Sequence, residues 1–504
     1  MNEQNPSTAM TSGKDFAGTS PHRSGLRTGR FDRAAVDAEP GTADMPTPVG
    51  DNISDGHMVT RETAARSSLA LSNMRALVIL TVLAFHSVLA YLGSLGTAAF
   101  PFDQAPYKWR AFPVVDSQRW YGFDLFCAWQ DVYLMSLMFF LSALFTWPAL
   151  ARKGPWKFLG ERFLRLGVPF VFALTVVMPV ALYPVYRVTA AEPSLMGYIQ
   201  HLLALPFWPN GPMWFLWQLL ALTVVAALLR RFAPRVVDVL GRLSASAATH
   251  PFRFFIGLVA ASALAYVPLA IAFTPWDWSN HGPFAIQLSR PLHYAVYYFA
   301  GLGVGAFGLE RGLLAPGGEL ARNWAGWLAL ALVSLMLWMG LTALAMAYTA
   351  PAWISLQIAI DISFVLACAS GGFFVMAACL RFIAKRSLVL VNLADKSFGL
   401  YLFHYVFVVW LQYALLGVAL FAIAKAMIVF AGTLLLAWAT TVVIGFVPFG
   451  SLLLGAGRSV LANAASPANA ASSGGNLVLA RRNGADRRNF FPETLLDSNM
   501  NPGD

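Results

Sequence analysis

Arg75 and His86 lie in one apolar segment, which runs from Asn73 to Tyr91. Eleven residues advance an α-helix by about 16 Å and almost three whole turns. A helix here would set a guanidinium near one membrane surface and an imidazole directly above it, near the middle of the bilayer. Ionisable groups inside a bilayer are costly and usually face a bundle interior or a water-filled cavity where they perform a function. The plainer reading of His86 is an interhelical hydrogen bond, and that of Arg75 is snorkelling to the interface. Two later positions add to the set. His404 follows Ser397 by seven residues, two turns on the same helical face, and Asp361 lies inside another apolar run.

The elements that would carry these residues are membrane helices. Of 504 residues, 58% are hydrophobic and 12% charged, and the mean hydropathy is +0.59, values that exclude an ordinary soluble chain. Ten apolar stretches are long enough to span, at about 73–92, 124–147, 166–186, 212–229, 254–273, 291–309, 324–348, 353–380, 397–417 and 420–447. The fold class expected is an all-α polytopic bundle of about ten transmembrane helices. The 353–380 stretch holds Asp361 and the Gly371–Gly372 pair, so a kinked or broken helix is expected there. Residues 234–246 pattern as an interfacial amphipathic helix.

Loop charge suggests the orientation. With the N-terminus inside, the inner loops collect sixteen Lys and Arg, among them Arg152, Lys153, Lys157, Arg162 and Arg165, against six in the outer loops. That asymmetry leaves both termini cytoplasmic. The net charge of +10 is then mostly topology and no sign of nucleic-acid binding. Residues 1–67 and 451–504 read as disordered cytoplasmic tails flanking a membrane domain at 68–450, and the first membrane helix serves for targeting. Cys127, Cys368 and Cys379 have neither metal-ligand spacing nor a disulfide pattern, and no metal site is expected. No Walker-type glycine loop and no HExxH occurs.

Five segments in order resemble acyltransferase family 3, integral membrane enzymes that acylate carbohydrates and related acceptors. They are Leu71-Ser72-Asn73-Met74-Arg75 with His86; Phe139-Phe140-Leu141-Ser142-Ala143; Arg162-Phe163-Leu164-Arg165 with Pro169; Trp214-Phe215-Leu216; and Ser397-Phe398-Gly399-Leu400-Tyr401-Leu402-Phe403-His404. The similarity covers residues 71 to 447, nearest the branch that contains periplasmic glucan succinyltransferases. Two positions depart from the family pattern. Ser72 stands where Asp is usual, removing a partner for Arg75, and Ala143 stands where Gly is usual.

The resemblance implies a multi-pass protein of the bacterial inner membrane. It would transfer an acetyl or succinyl group from cytosolic acyl-CoA to a hydroxyl of an exported carbohydrate, glucan or glycolipid. Acyl-CoA is then a cosubstrate, and no tightly bound cofactor is expected. A sugar hydroxyl is a poor nucleophile at neutral pH, so the reaction needs a base. His86 has the right chemistry for it, while Arg75, permanently protonated, can hold an anion or stabilise oxyanion charge. Arg162 and Arg165, three apart on one helical face, suit the donor's phosphates. His404, Ser397, Asp361 and Trp214 are candidates for a substrate or supporting network. Asp361 could pair with Arg75, His86 or His404; Asp124 and Asp131 are further acceptor-side candidates. The alternative, a proton-coupled carrier or flippase, would use the same intramembrane charges, but the sequence shows none of the paired, Gly/Pro-interrupted segments expected of an inverted-repeat transporter.

Overall fold

A backbone in lipid must satisfy its own hydrogen bonds, which a helix does within one segment. The computed structural model follows that rule throughout. It describes residues 52–275, 277–310, 312–348 and 353–455, with side chains from Leu69 onward. The expected tails lie outside these residues except at 52–67 and 451–455. Within 52–67, the described part of the expected N-terminal tail of 1–67, the backbone is helical: α1 (Asn52–Val88) starts well before the apolar run. Extending an existing helix costs little once its nucleus has formed, and Glu62-Thr63-Ala64-Ala65-Arg66 contains good helix formers.

Each of the ten apolar stretches is helical. Those long and apolar enough to cross a membrane lie in α1, α2 (Tyr121–Ala143), α3 (Pro155–Thr189), α4 (Trp214–Phe232), α6 (Pro251–Phe273), α8 (Trp324–Ala347), α9 (Ile354–Phe382) and α12 (Ala422–Phe446). The other two, α7 (Pro291–Phe307) and α11 (Ser397–Ala414), are shorter helices with mostly buried faces. The amphipathic stretch forms α5 (Pro234–Ala245), packed against α7. A short helix, α10 (Leu388–Asp395), precedes α11.

Burial sorts the helices. In α9, 72% of the apolar window is buried, against 17% in α8 and 22% in α12, so α9 is central and the other two are peripheral. α9 packs against α8, α6 and α2. It is one uninterrupted helix of 29 residues, which corrects the expectation of a break at 353–380. The Tyr133 ring of α2 lies against Gly371 and leaves little room for a side chain there. The irregular span is instead α3, where wide π-turns occupy Phe163–Gly167 and Ala173–Val177. Pro169 and Pro179 have no N–H for the carbonyl four residues back, and a widened turn accommodates that gap. The first π-turn contains Arg165, so Arg162 and Arg165 do not keep the one-face spacing of a regular helix.

α7 joins α2 almost backbone to backbone. A side chain at Gly301 or Gly305 would collide with the carbonyl oxygens of Phe140 and Leu144, and the Gly-x-x-x-Gly spacing places both glycines on one face. The bundle also has a small feature that an all-α reading omits, an antiparallel hairpin of β1 (Trp278–His281) and β2 (Phe284–Gln287). Trp217 Nε1 donates to Ala285 O (3.1 Å) and Asn210 Nδ2 to Pro283 O (3.0 Å), fixing the hairpin to the start of α4.

Between α1 and α2 runs a folded loop at 93–120. Trp109 is fully buried there, stacked on Phe102 at 4.9 Å, with its indole N–H donating to Phe102 O. Asp116 accepts from Lys425 Nζ at 2.7 Å, and both side chains are 1% exposed. That ion pair fastens the loop to the first turn of α12.

Candidate active site

His86 occupies the last turn of α1, two residues before its end at Val88, where a tight 3-10 turn carries the chain on to Tyr91. Its Nδ1 lies 2.9 Å from Val82 O. A carbonyl can only accept, so Nδ1 carries the hydrogen and Nε2 keeps its lone pair. No protein group bonds Nε2 among the described residues, and the side chain is partly exposed. Gln412 of α11 holds the backbone, its Nε2 donating to His86 O at 2.9 Å and Ser87 O at 3.3 Å.

α11 delivers the neighbours. The rings of His404 and Tyr405 lie 5.0 and 5.6 Å from the His86 ring, both edge-on. His404 is fully buried, its Nδ1 donating to Tyr401 O at 2.6 Å and its Nε2 without a partner. α11 reaches this position because Gly399 lies directly against Thr441 of α12, where a side chain would clash. Ser397 lies two turns away from His404 toward the other end of the bundle, buried, with no side-chain hydrogen bond among the described residues.

At that other end, about 16 Å along α1, is Arg75. It interacts electrostatically with Arg165 and with Asp395 of α10, and Arg162 interacts with both other arginines. Asp395 thus supplies the nearby acid that Ser72 does not, although the two form no salt bridge. None of the three guanidiniums has an ion-pair partner among the described residues, since Glu161 is taken by Lys153 at 2.5 Å. Arg75 and Arg165 are exposed and Arg162 is half-buried over the Phe158 ring. Nearby, Asn73 ties α1 to the segment after α9, its Nδ2 donating to Ile383 O at 2.6 Å and Lys385 O at 3.0 Å.

Two expected participants stand elsewhere. Asp361 has no contact with Arg75, His86 or His404; its Oδ1 accepts from Gln357 at 3.0 Å and its Oδ2 is buried without a partner. Four residues in α9 equal little more than one turn, so Gln357 is simply the nearest donor on the same face. Trp214 stacks on Tyr294 (5.7 Å) and meets Trp278 edge-on (5.8 Å). That stack rests on a polar cluster the sequence reading did not assemble. Arg290, 4% exposed, clasps Asp131 through both carboxylate oxygens at 2.7 and 3.2 Å and lies 3.5 Å from Tyr294 Oη. His293 beside it contacts Ser262 Oγ at 3.0 Å and Cys368 Sγ at 3.4 Å. With both ring nitrogens engaged, His293 is a structural histidine, unlike His86. The sequence signal for this cluster was a charge of each sign next to or within apolar runs, at Asp131 and Arg290. Asp124 is likewise engaged, accepting from Gly93 N at 2.6 Å and from Ser94.

The arrangement offers a free imidazole nitrogen in the last turn of α1 and, about 16 Å back along the same helix, a cationic cluster without an ion-pair partner among the described residues. Comparison with known proteins agrees with what this geometry can do. The family pattern described as an acyltransferase domain, that of acyltransferase family 3, matches residues 68–442. No curated protein and no solved structure matches the chain. The match takes in His86, His404, all three arginines and all but the last turn of the candidate membrane spans among the described residues, and the chain belongs to acyltransferase family 3.

Proposed function

We propose that this membrane acyltransferase moves an acyl group, acetyl or succinyl, from acyl-CoA in the cytosol to a hydroxyl of a carbohydrate, glucan or glycolipid on the far side of the bacterial inner membrane. The observation that carries the reading is the three guanidiniums of Arg75, Arg162 and Arg165, gathered with no salt-bridged carboxylate among the described residues. Like charges held together repel, and an anion of several charges relieves that repulsion. The phosphates of coenzyme A are such an anion. Their seat at this end leaves the extended pantetheine arm to run along α1 and present the thioester toward His86.

At the other end His86 Nε2 takes the proton of the acceptor hydroxyl as its oxygen attacks the thioester carbonyl carbon. The carbon–sulfur bond breaks, the ester forms, and the departing thiolate recovers the proton from the imidazolium. His404, in ring contact, orients His86 and stabilises the charged imidazole with its own bare nitrogen. Both termini are cytoplasmic in this reading, and the acceptor enters beneath the 93–120 loop.

The deciding experiment incubates the purified protein with acyl-labelled CoA and a panel of glycans. Label appearing on a glycan hydroxyl is the expected result. Binding of acyl-CoA with no transfer to any acceptor, or movement of a glycan across vesicles without acylation, would overturn it in favour of a carrier.

A further inference from the structure

Arg110 is a cation with spare bonding capacity in the loop that joins α1 to α2, and it interacts electrostatically with Tyr405, the ring neighbour of His86. Its guanidinium lies flat over the Phe207 ring at 4.3 Å, and one N–H donates to Asn280 Oδ1 of the hairpin at 2.7 Å. No carboxylate pairs with it among the described residues, and it remains partly exposed. A guanidinium has five N–H donors, so most are unused. The position is well fixed. Trp109 is anchored in the loop on one side, and Tyr107 packs edge-on against Phe207 at 5.1 Å on the other.

Packed neighbours link Arg110 to the candidate base. The segment after Phe207 leads to Gly211, where the backbone runs so close to Tyr405 that a side chain there would lie 3.2 Å from its ring. Tyr405 in turn touches the His86 ring at 5.6 Å. Arg110 and Tyr405 are near enough to interact electrostatically, while burial of the guanidinium weakens its hold on its proton. A partly desolvated, unpaired arginine is expensive to maintain for packing alone, since Met or Leu would cover Phe207 at less cost.

We propose that Arg110 is a specificity-determining residue that binds an anionic group of the substrate, a carboxylate or phosphate, beside His86. This rests on the acyltransfer reading above. The anion has two possible sources, the free end of a dicarboxylic acyl group or an acidic substituent on the acceptor. Planar guanidinium donors match both carboxylate and phosphate geometry in a way lysine does not.

The test compares full-length wild type with Arg110→Gln and Arg110→Lys on two matched pairs. One pair is succinyl-CoA against acetyl-CoA with a neutral glucose oligosaccharide; the other is that oligosaccharide against one bearing a glucuronate, with acetyl-CoA. Expected is a wild-type preference for the anionic member of one pair. Arg110→Gln should shrink that preference by about ten- to a hundredfold, with Arg110→Lys in between. The pair affected identifies the source. The same ligands titrated without turnover give the comparison as binding affinity, so a wild type that transfers nothing refutes acyltransfer without deciding Arg110. No anionic preference in either pair, or an equal loss on both members in Arg110→Gln, would overturn the assignment.

Discussion

Replacing His86 separates its two nitrogens. Nδ1 bonds Val82 O at 2.9 Å, and Nε2 is free. His86→Asn sets an amide N–H close to the Nδ1 position and can keep the bond to Val82 O, while offering nothing basic. His86→Gln reaches toward the Nε2 position with an amide that accepts a hydrogen bond but takes up no proton. Neither change buries an unpaired charge. The structural loss is the edge-on contact with His404 and Tyr405, about 1 kcal/mol. General-base assistance contributes about 10²–10⁴ in rate, or roughly 3–5 kcal/mol at the transition state. Both variants should therefore insert, unfold within a few degrees of wild type and bind acyl-CoA with unchanged affinity, yet lose two to four orders of magnitude in kcat. Single-turnover transfer of label from acyl-CoA, run beside donor titration, reads the two effects apart. Turnover within threefold of wild type in either variant would refute the base assignment, because neither amide can stand in for Nε2.

Other consequences are equally open to measurement. Asp131→Asn should destabilise the bundle by about 1–3 kcal/mol because it strips the buried Arg290 of its partly solvated carboxylate, and Asp131→Asn with Arg290→Met should recover much of that in thermal unfolding in detergent. Gly305→Leu should abolish insertion or stability, judged by gel filtration of the solubilised protein, since its side chain must displace the Leu144 carbonyl. Arg162→Gln with Arg165→Gln should weaken binding of acyl-CoA at least tenfold more than binding of a phosphate-free thioester; an equal loss for both donors would leave these arginines a topological role only. A cysteine introduced at Ala111 should label from the outside of intact cells, and labelling only after permeabilisation would reverse the orientation.

The helices were legible because their cause is local. A run of about twenty apolar residues must become a helix in lipid wherever it packs, and each expected stretch did. What the sequence did not disclose is set by contacts between distant segments. The helix over 354–382 is unbroken, and its Gly371 faces Tyr133 on α2; no local pattern says which neighbour a glycine faces. Pro169 marked α3 as irregular, yet whether such a helix kinks, breaks or widens depends on its surroundings. The hairpin at 278–287 is too short and polar to register as strands without the Trp217 and Asn210 donors that hold it.

The site divided along the same line. Arg75 and His86 could be paired on paper because one helix carries both, and the phase of that helix fixes their relation. His404 could be placed near them only as an alternative, and Asp361 was offered partners it does not have, because the sequence contains no distance between helices. The distinction that matters most was also the least visible. His86, His293 and His404 are three histidines in apolar segments, and composition cannot rank them. Hydrogen bonding does: His293 has both nitrogens engaged, His404 has a bare nitrogen sealed from solvent, and His86 alone of the three has an unbonded nitrogen on a partly exposed ring. A base must meet its substrate, so reachability decides among groups of equal intrinsic chemistry.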